Sequence, residues 1–376
     1  MRTTSPAARR YCAELLSRLV DIPSVFPEEE EIMMFLEREY VTLGLRPRRL
    51  PVSEGRFNLL CTVGSGSPRV CLNAHSDTVP ANGRSTPSAR IEGDRICGLG
   101  SCDDKASVAA MTTAFLDLAS RAAEIGGTAD LLISVDEEGD GGGVRSAIAG
   151  GYGCDYAVVG EPTCLDAVRA HCGLVFLKLR TRGASAHGAS PWNGVSAVDR
   201  MLVLVNEIRG ALAGFSAHPI VGDPSLNLGE IHAGDRPNRV PDFCEARIDI
   251  RLVPPMTVAR TLEAVRAPAD TVDWAECLIE KTGEALDTPE DSPVVRAALE
   301  SARALGVDAR AVGLRGWTEA ESFATGLGID AVVLGPGSIR QAHSADEFVS
   351  VSQTQTAADL YVGAVERLCG ARKKGS

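Results

Sequence analysis

Four short apolar runs, residues 70–73, 131–135, 156–159 and 331–334, constrain this chain more than any other feature. Rich in Val, Ile and Leu, they read as strands buried on both faces. Helical patterns lie between them, at residues 106–119 and 292–305. Apolar strands alternating with helices predict an α/β domain with a central, mostly parallel sheet.

The stretch from about residue 175 to residue 280 has a different rhythm. Residues 174–181, 226–232 and 244–252 alternate apolar and polar side chains, the mark of half-exposed strands. Residues 197–212 and 257–265 are helical in pattern, and a last strand is expected at 276–280. That order predicts a small α+β, ferredoxin-like sandwich inserted into the first domain. The expected division is 1–173 with 283–376, and 174–282 between them. A chain of 376 residues is too long for one core of usual size.

Charge and cysteine usage narrow the function classes. A formal net charge of −12 argues against a nucleic-acid partner, because phosphate binding needs a basic surface. No apolar run suits a signal peptide, and none reaches the roughly 18 residues of a membrane span. The 11 cysteines are odd in number and never spaced as Cys-x-x-Cys. Free thiols in a reducing cytoplasm are therefore expected, not a zinc ribbon or a disulfide framework. Nothing near Cys102 would activate a thiolate, so a packing role is expected there.

The chemistry lies where the apolar runs stop. The first leads into His75-Ser76-Asp77, the second into Asp136-Glu137-Glu138, the third into Gly160-Glu161-Pro162. The fourth leads through Gly335-Pro336-Gly337 to His343, and Asp103-Asp104 precedes a helical pattern between the first two runs. Ligands of open α/β sheets bind outside the carboxyl ends of the strands, so these side chains could converge. Each piece alone is weak: a lone His-x-Asp is usually structural, and a Glu-Glu pair is usually a solvated turn. The glycines at 141–143 are not a phosphate loop, since no Gly-Lys-Ser/Thr follows. Their joint occurrence, in order, is what carries weight. Imidazole and carboxylate ligands suit zinc, and a carboxylate can bridge two metals. Of two adjacent glutamates, one could bind metal while its neighbour faces the water and moves its proton.

This pattern resembles the metallopeptidase family that includes acetylornithine deacetylase, succinyl-diaminopimelate desuccinylase, aminoacylase and glutamate carboxypeptidase. The resemblance runs from about Leu19 to Leu368. It implies two zinc ions, with cobalt or manganese able to use the same donors. His75 and Glu161 would bind one, Glu138 and His343 the other, and Asp103 both, with a cis bond to Asp104. Asp77 would orient the ring of His75, and Glu137 would be the general base and then the proton donor. The inserted domain would be a lid and a homodimer contact. Its Ser185-Ala186-His187 matches a family motif, and His187 would polarise the scissile carbonyl at the partner's site. Asn238 and Arg251 match positions that hold the substrate's carboxylate. Hinges would lie near Cys172–Gly173 and Thr282–Gly283. His171 is read as a structural or outer-shell residue, and His218 and His232 as structural.

Several strings lean towards acetylornithine deacetylase: Glu161-Pro162-Thr163, Arg169-Ala170-His171, Leu226-Asn227-Leu228-Gly229, Thr318-Glu319-Ala320 and Gln341-Ala342-His343. Asp104 stands where deacetylases more often have methionine, Ala106 where glycine is usual, and Cys172 at a lysine-like position. These departures bear on the substrate, not on the reaction class. The implied substrate is a small N-acyl amino acid, cleaved to a short carboxylate and a free amino acid. Glu319 would recognise a cationic side chain such as ornithine's. The alternatives are a dipeptidase or carboxypeptidase of the same family, or a desuccinylase or deacylase of another diamino acid or carrier-linked substrate. A non-catalytic binding protein on this fold is the alternative from another class, and loss of a ligand or of the base would be its mark.

Overall fold

A computed structural model describes residues 3–83 and 85–370. The chain divides into two compact units. The first runs through Arg169 and resumes at Thr288–Val312 and from Thr318 onward; the second is Ala170–Asp287 with Gly313–Trp317. The last segment was expected in the first domain. It groups with the second because Leu314 and Arg315 bond there: the Leu314 carbonyl accepts the Cys172 N–H, and the Arg315 guanidinium donates to the carbonyls of Val221 and Asp223.

A nine-stranded sheet lies mostly in the first unit. Its centre is parallel: Arg69–His75 lies between Thr128–Ser134 and Tyr156–Val159, and Asp330–Val333 continues beyond Tyr156–Val159. All four of these strands are buried almost throughout, which is why they read as apolar runs rather than alternating ones. The outer strands are antiparallel. Arg48–Ser53 and Arg56–Gly64 form a hairpin that pairs onto Thr128–Ser134. Helix Lys105–Ser120 packs on the central strands and against helices Pro6–Val20 and Val351–Cys369. It is buried nearly all round, as a helix between a sheet and other helices must be. A second group, Gly142–Ala149 and Ala320–Leu327, packs together elsewhere on the sheet. The mostly parallel α/β architecture expected from the apolar runs is the one observed.

The second unit carries a four-stranded antiparallel sheet, ordered Ser225–Ala233, Phe243–Leu252, Gly173–Arg182, Ala275–Gly283. Helices Ala197–Leu212 and Val258–Asp270 pack on it. Val175, Leu177 and Leu179 turn into this core with Ala246, Ile248 and Ile250. The alternate residues carry charge: Lys178 pairs with Glu280 at 3.0 Å, and Arg180 with Glu245 at 2.8 Å. This is the α+β sandwich that the period-two pattern anticipates. Among the described residues, no helix is long and apolar enough to cross a membrane. All 11 cysteines are free.

Candidate metal centre and catalytic residues

Three neighbouring parallel strands stop at one edge of the sheet, and each hands over a ligand candidate. His75 is the last residue of its strand, opposite Ser134 of the next. Asp136, Glu137 and Glu138 follow Ser134 in a turn, and Glu161 lies two residues past Val159. The loop of residues 98–104 brings Asp103 to the start of helix Lys105–Ser120. Gly100 in that loop has φ +73°, and a Cβ there would meet the stem of Lys105 at 3.2 Å. His343 comes from the loop after the fourth apolar run and has φ +57°. The Asp103–Asp104 peptide bond is cis.

Two triads result. In His75, Asp103 and Glu161, and again in Asp103, Glu138 and His343, one ligand atom from each residue lies within 4.8 Å of the others. Asp103 belongs to both and turns a different oxygen to each. Its Oδ1 is 3.1 Å from His75 Nε2, and its Oδ2 is 3.5 Å from His343 Nε2. His75 Nε2 is also 4.0 Å from Glu161 Oε1, and His343 Nε2 is 2.9 Å from Glu138 Oε1. An imidazole with two carboxylates suits a divalent ion. Crowded acids point the same way. Burial pushes the carboxyls of Glu137 and Glu161 well up, and the charge of Asp103 adds to it. Burial also raises Glu138, although its hydrogen bond with His343 opposes this. A bound cation would relieve that repulsion. For His75, burial disfavours the imidazolium, but hydrogen bonds to Asp103 and Asp77 outweigh it and lift the pKa well above its usual value. The bond to Glu138 raises His343 to about 9.

Asp77 touches both the His75 ring and the Glu137–Glu138 turn. His75 Nδ1 lies 3.1 Å from the Asp77 carbonyl and 3.5 Å from its carboxylate. The carboxylate itself accepts the N–H groups of Glu137 at 3.2 Å and Glu138 at 2.8 Å. One buried acid thus fixes both the His75 strand end and the Glu137–Glu138 turn. Glu29 supports the same turn: it is paired with Arg56 and accepts the Asp136 N–H at 3.2 Å.

Glu319 is not where a substrate-recognising glutamate should be. It is 1% exposed, bonded to the Ser134 hydroxyl, and accepts the Val144 N–H at 3.2 Å. Both oxygens are used inside the protein, and burial raises its pKa to about 7. Packing of Ala320–Leu327 against Gly142–Ala149 turned an apparently solvent-facing acid into a core group.

In the second unit, His187 and Asn238 are exposed and sit on paired segments, His187 bridging to Arg239 and the Gly188 N–H donating to the Asn238 carbonyl at 2.7 Å. His187 Nδ1 accepts the Ala189 N–H at 3.1 Å. A neutral ring held so carries its proton on Nε2, which makes that atom a donor. Arg251 is paired with Asp249 at 2.9 Å, two residues away on the same face of the strand. His171 is buried with Nδ1 2.9 Å from the Cys172 carbonyl, and His218 lies 3.4 Å from Asp287. Sequence reading missed Glu347, a buried acid whose side chain holds the Asp103 loop. Nothing in Ala345-Asp346-Glu347-Phe348 distinguishes it from a surface glutamate.

A strand-end cluster with two ligand triads meeting at one aspartate is a candidate metal centre. Residues 71–367 match peptidase family M20/M25/M40, and the chain belongs to that family of hydrolases. Acetylornithine deacetylase of Proteus mirabilis (strain HI4320) is 32% identical over 385 residues, covering 96% of this chain and 97% of its own length. An M20 family metallo-carboxypeptidase from Sulfolobus solfataricus superposes with a TM-score of 0.81 at 18% identity, covering 95% of this chain and 98% of its own. A dinuclear metal binding peptidase of the M20 family from Bacillus subtilis gives a TM-score of 0.72 at 15% identity, covering 97% and 99%. At these identities the two structures speak to the fold alone.

Proposed function

We propose that this protein hydrolyses the amide bond of an N-acyl amino acid, as an N-acetylornithine-type deacetylase that releases acetate and a free amino acid. The observation that carries this reading is Asp103 turned by its two oxygens to two separate triads, with buried Glu137 beside them. The likeness to an acetylornithine deacetylase over nearly the whole chain supports the substrate class.

Two zinc ions are the proposed cofactor, held by His75 and Glu161, by Glu138 and His343, and by Asp103 in common. When bound, they would draw density from the amide carbonyl and lower the pKa of a water towards about 7. Glu137 takes the proton of the attacking water and later gives it to the departing amine nitrogen. His187 of the second unit donates its Nε2–H to the carbonyl oxygen as that oxygen gains charge. It acts across a homodimer formed through this unit, which serves as a lid. Arg251, released from or shared with Asp249, and Asn238 hold the substrate's carboxylate. A reducing cytoplasm fits the free thiols.

A second reading, a dipeptidase or carboxypeptidase with the same metals and base, is favoured by the burial of Glu319, which removes the acid expected to recognise an ornithine side chain. Amine release by the zinc-loaded protein distinguishes the two. The panel is N-acetylornithine, N-acetylcitrulline, neutral N-acetyl amino acids, N-succinyl-diaminopimelate and simple dipeptides. Preference for N-acetylornithine is the expected result; preference for dipeptides would replace it with the peptidase reading.

A further inference from the structure

The loop of residues 98–104 delivers Asp103, yet neither helix nor strand fixes it. Its amides converge on one side chain instead. Glu347 Oε1 accepts the N–H groups of Cys102 at 2.9 Å and Asp103 at 3.1 Å. Its Oε2 accepts the Gly100 N–H at 2.9 Å and the Ser85 hydroxyl at 3.1 Å. The Glu347 carbonyl accepts the Gly98 N–H at 3.1 Å. Glu347 is 2% exposed, so these bonds form away from water, where charge-assisted hydrogen bonds are strongest.

Four residues earlier in the same segment is His343, whose Nε2 lies 3.5 Å from Asp103 Oδ2. One carboxylate therefore ties the Asp103 loop to the His343 loop across 244 residues of sequence. The two triads differ in their need for such a tie. His75 and Glu161 sit at the ends of paired strands. His343 sits in a turn, and its side chain is 52% exposed.

We infer that Glu347 is a positioning residue for the Asp103–Glu138–His343 metal site, setting the separation of Asp103 from His343. The inference rests on the two-metal reading above. Groups that orient metal ligands are typically worth 10–100-fold in affinity, and here that loss falls mainly on one of two sites. Glutamine at 347 could still accept from Cys102 and Asp103, but its NH2 would face the Gly100 N–H. It should therefore retain part of the effect, and alanine none.

The test is titration of the metal-free full chain with zinc and with cobalt(II), followed by calorimetry and by visible absorption of the cobalt, for wild type, Glu347→Gln and Glu347→Ala. Wild type should take up two equivalents. Glu347→Gln should bind the first nearly unchanged and the second roughly 10–100-fold more weakly, with the cobalt spectrum altered for the second equivalent only. Glu347→Ala should be weaker again at the second site; if it does not fold, the glutamine variant decides. Glu347→Gln binding both equivalents as wild type does, or losing both equally, overturns the inference. A wild type that takes up no second equivalent would instead sink the two-metal reading itself.

Discussion

The two units offer their candidate residues in opposite ways. In the first, His75, Asp103 and Glu161 are buried, close together, and backed by further buried acids such as Asp77 and Glu347. In the second, His187 and Asn238 are exposed on loops, and Arg251 is already paired with Asp249. Buried ligands are held by a supporting shell that costs stability when broken. Exposed donors are cheap to remove and should matter only when substrate is present.

This contrast is sharpest at the base. Glu137→Gln should lower kcat by about 10²–10⁴-fold while metal content, measured by atomic absorption, stays at the wild-type value. Retained activity would remove Glu137 from the mechanism. His187→Ala should lower kcat by about 10²–10³-fold, the cost of one oxyanion donor. Neither Tm nor metal content should change, because the side chain is exposed. Loss of metal in this variant would break the comparison between the units. Dimers mixed from the Glu137 and His187 variants should regain part of the activity if the histidine acts across subunits.

Asp77→Asn should behave as a first-unit change. It keeps the size but weakens acceptance of the Glu137 and Glu138 N–H groups, so metal affinity should fall by about 10–100-fold and Tm should fall with it. An unchanged metal titration would show that His75 and the turn need no such support.

A further effect is expected on stability alone. The Glu319 carboxyl is protonated more easily when folded, at about 7, than at its ordinary 4.5. Its contribution is therefore fully present in acid, below the unfolded value, and is lost as pH rises through about 7. Glu319→Gln has no charge to bury. It should match wild type near pH 5 and gain on it towards pH 8, by about 3 kcal/mol at most, in urea unfolding at the two pH values. A constant difference across that range would mean that Glu319 does not titrate as its burial implies.

The place where His, Asp and Glu side chains converge was legible because they follow the apolar runs or precede a helix. The choice of Asp103 over Asp104, and of Glu138 over Glu137, was what the family resemblance implied. The antiparallel hairpin Arg48–Ser53 and Arg56–Gly64 went unread, because its first strand is mostly exposed and Asn58 and Thr62 interrupt the apolar residues of its second, which is buried over Phe57–Cys61. Glu319 was misjudged for a different reason. A glutamate in Thr318-Glu319-Ala320 looks the same whether it faces water or a neighbouring helix.

What the sequence by itself determined is the periodicity and the donor set: unbroken apolar runs for a parallel sheet, alternation for the second unit's sheet, and imidazoles and carboxylates where the runs end. These are local properties, written in consecutive residues. Only the tertiary structure decided which oxygen of Asp103 faces which triad, that Asp77 meets both the His75 strand end and the Glu137–Glu138 turn, and that Glu319 and Glu347 are sealed from water. Those facts depend on groups far apart in the chain meeting in a low-dielectric interior, where an acid must find hydrogen-bond donors or keep its proton.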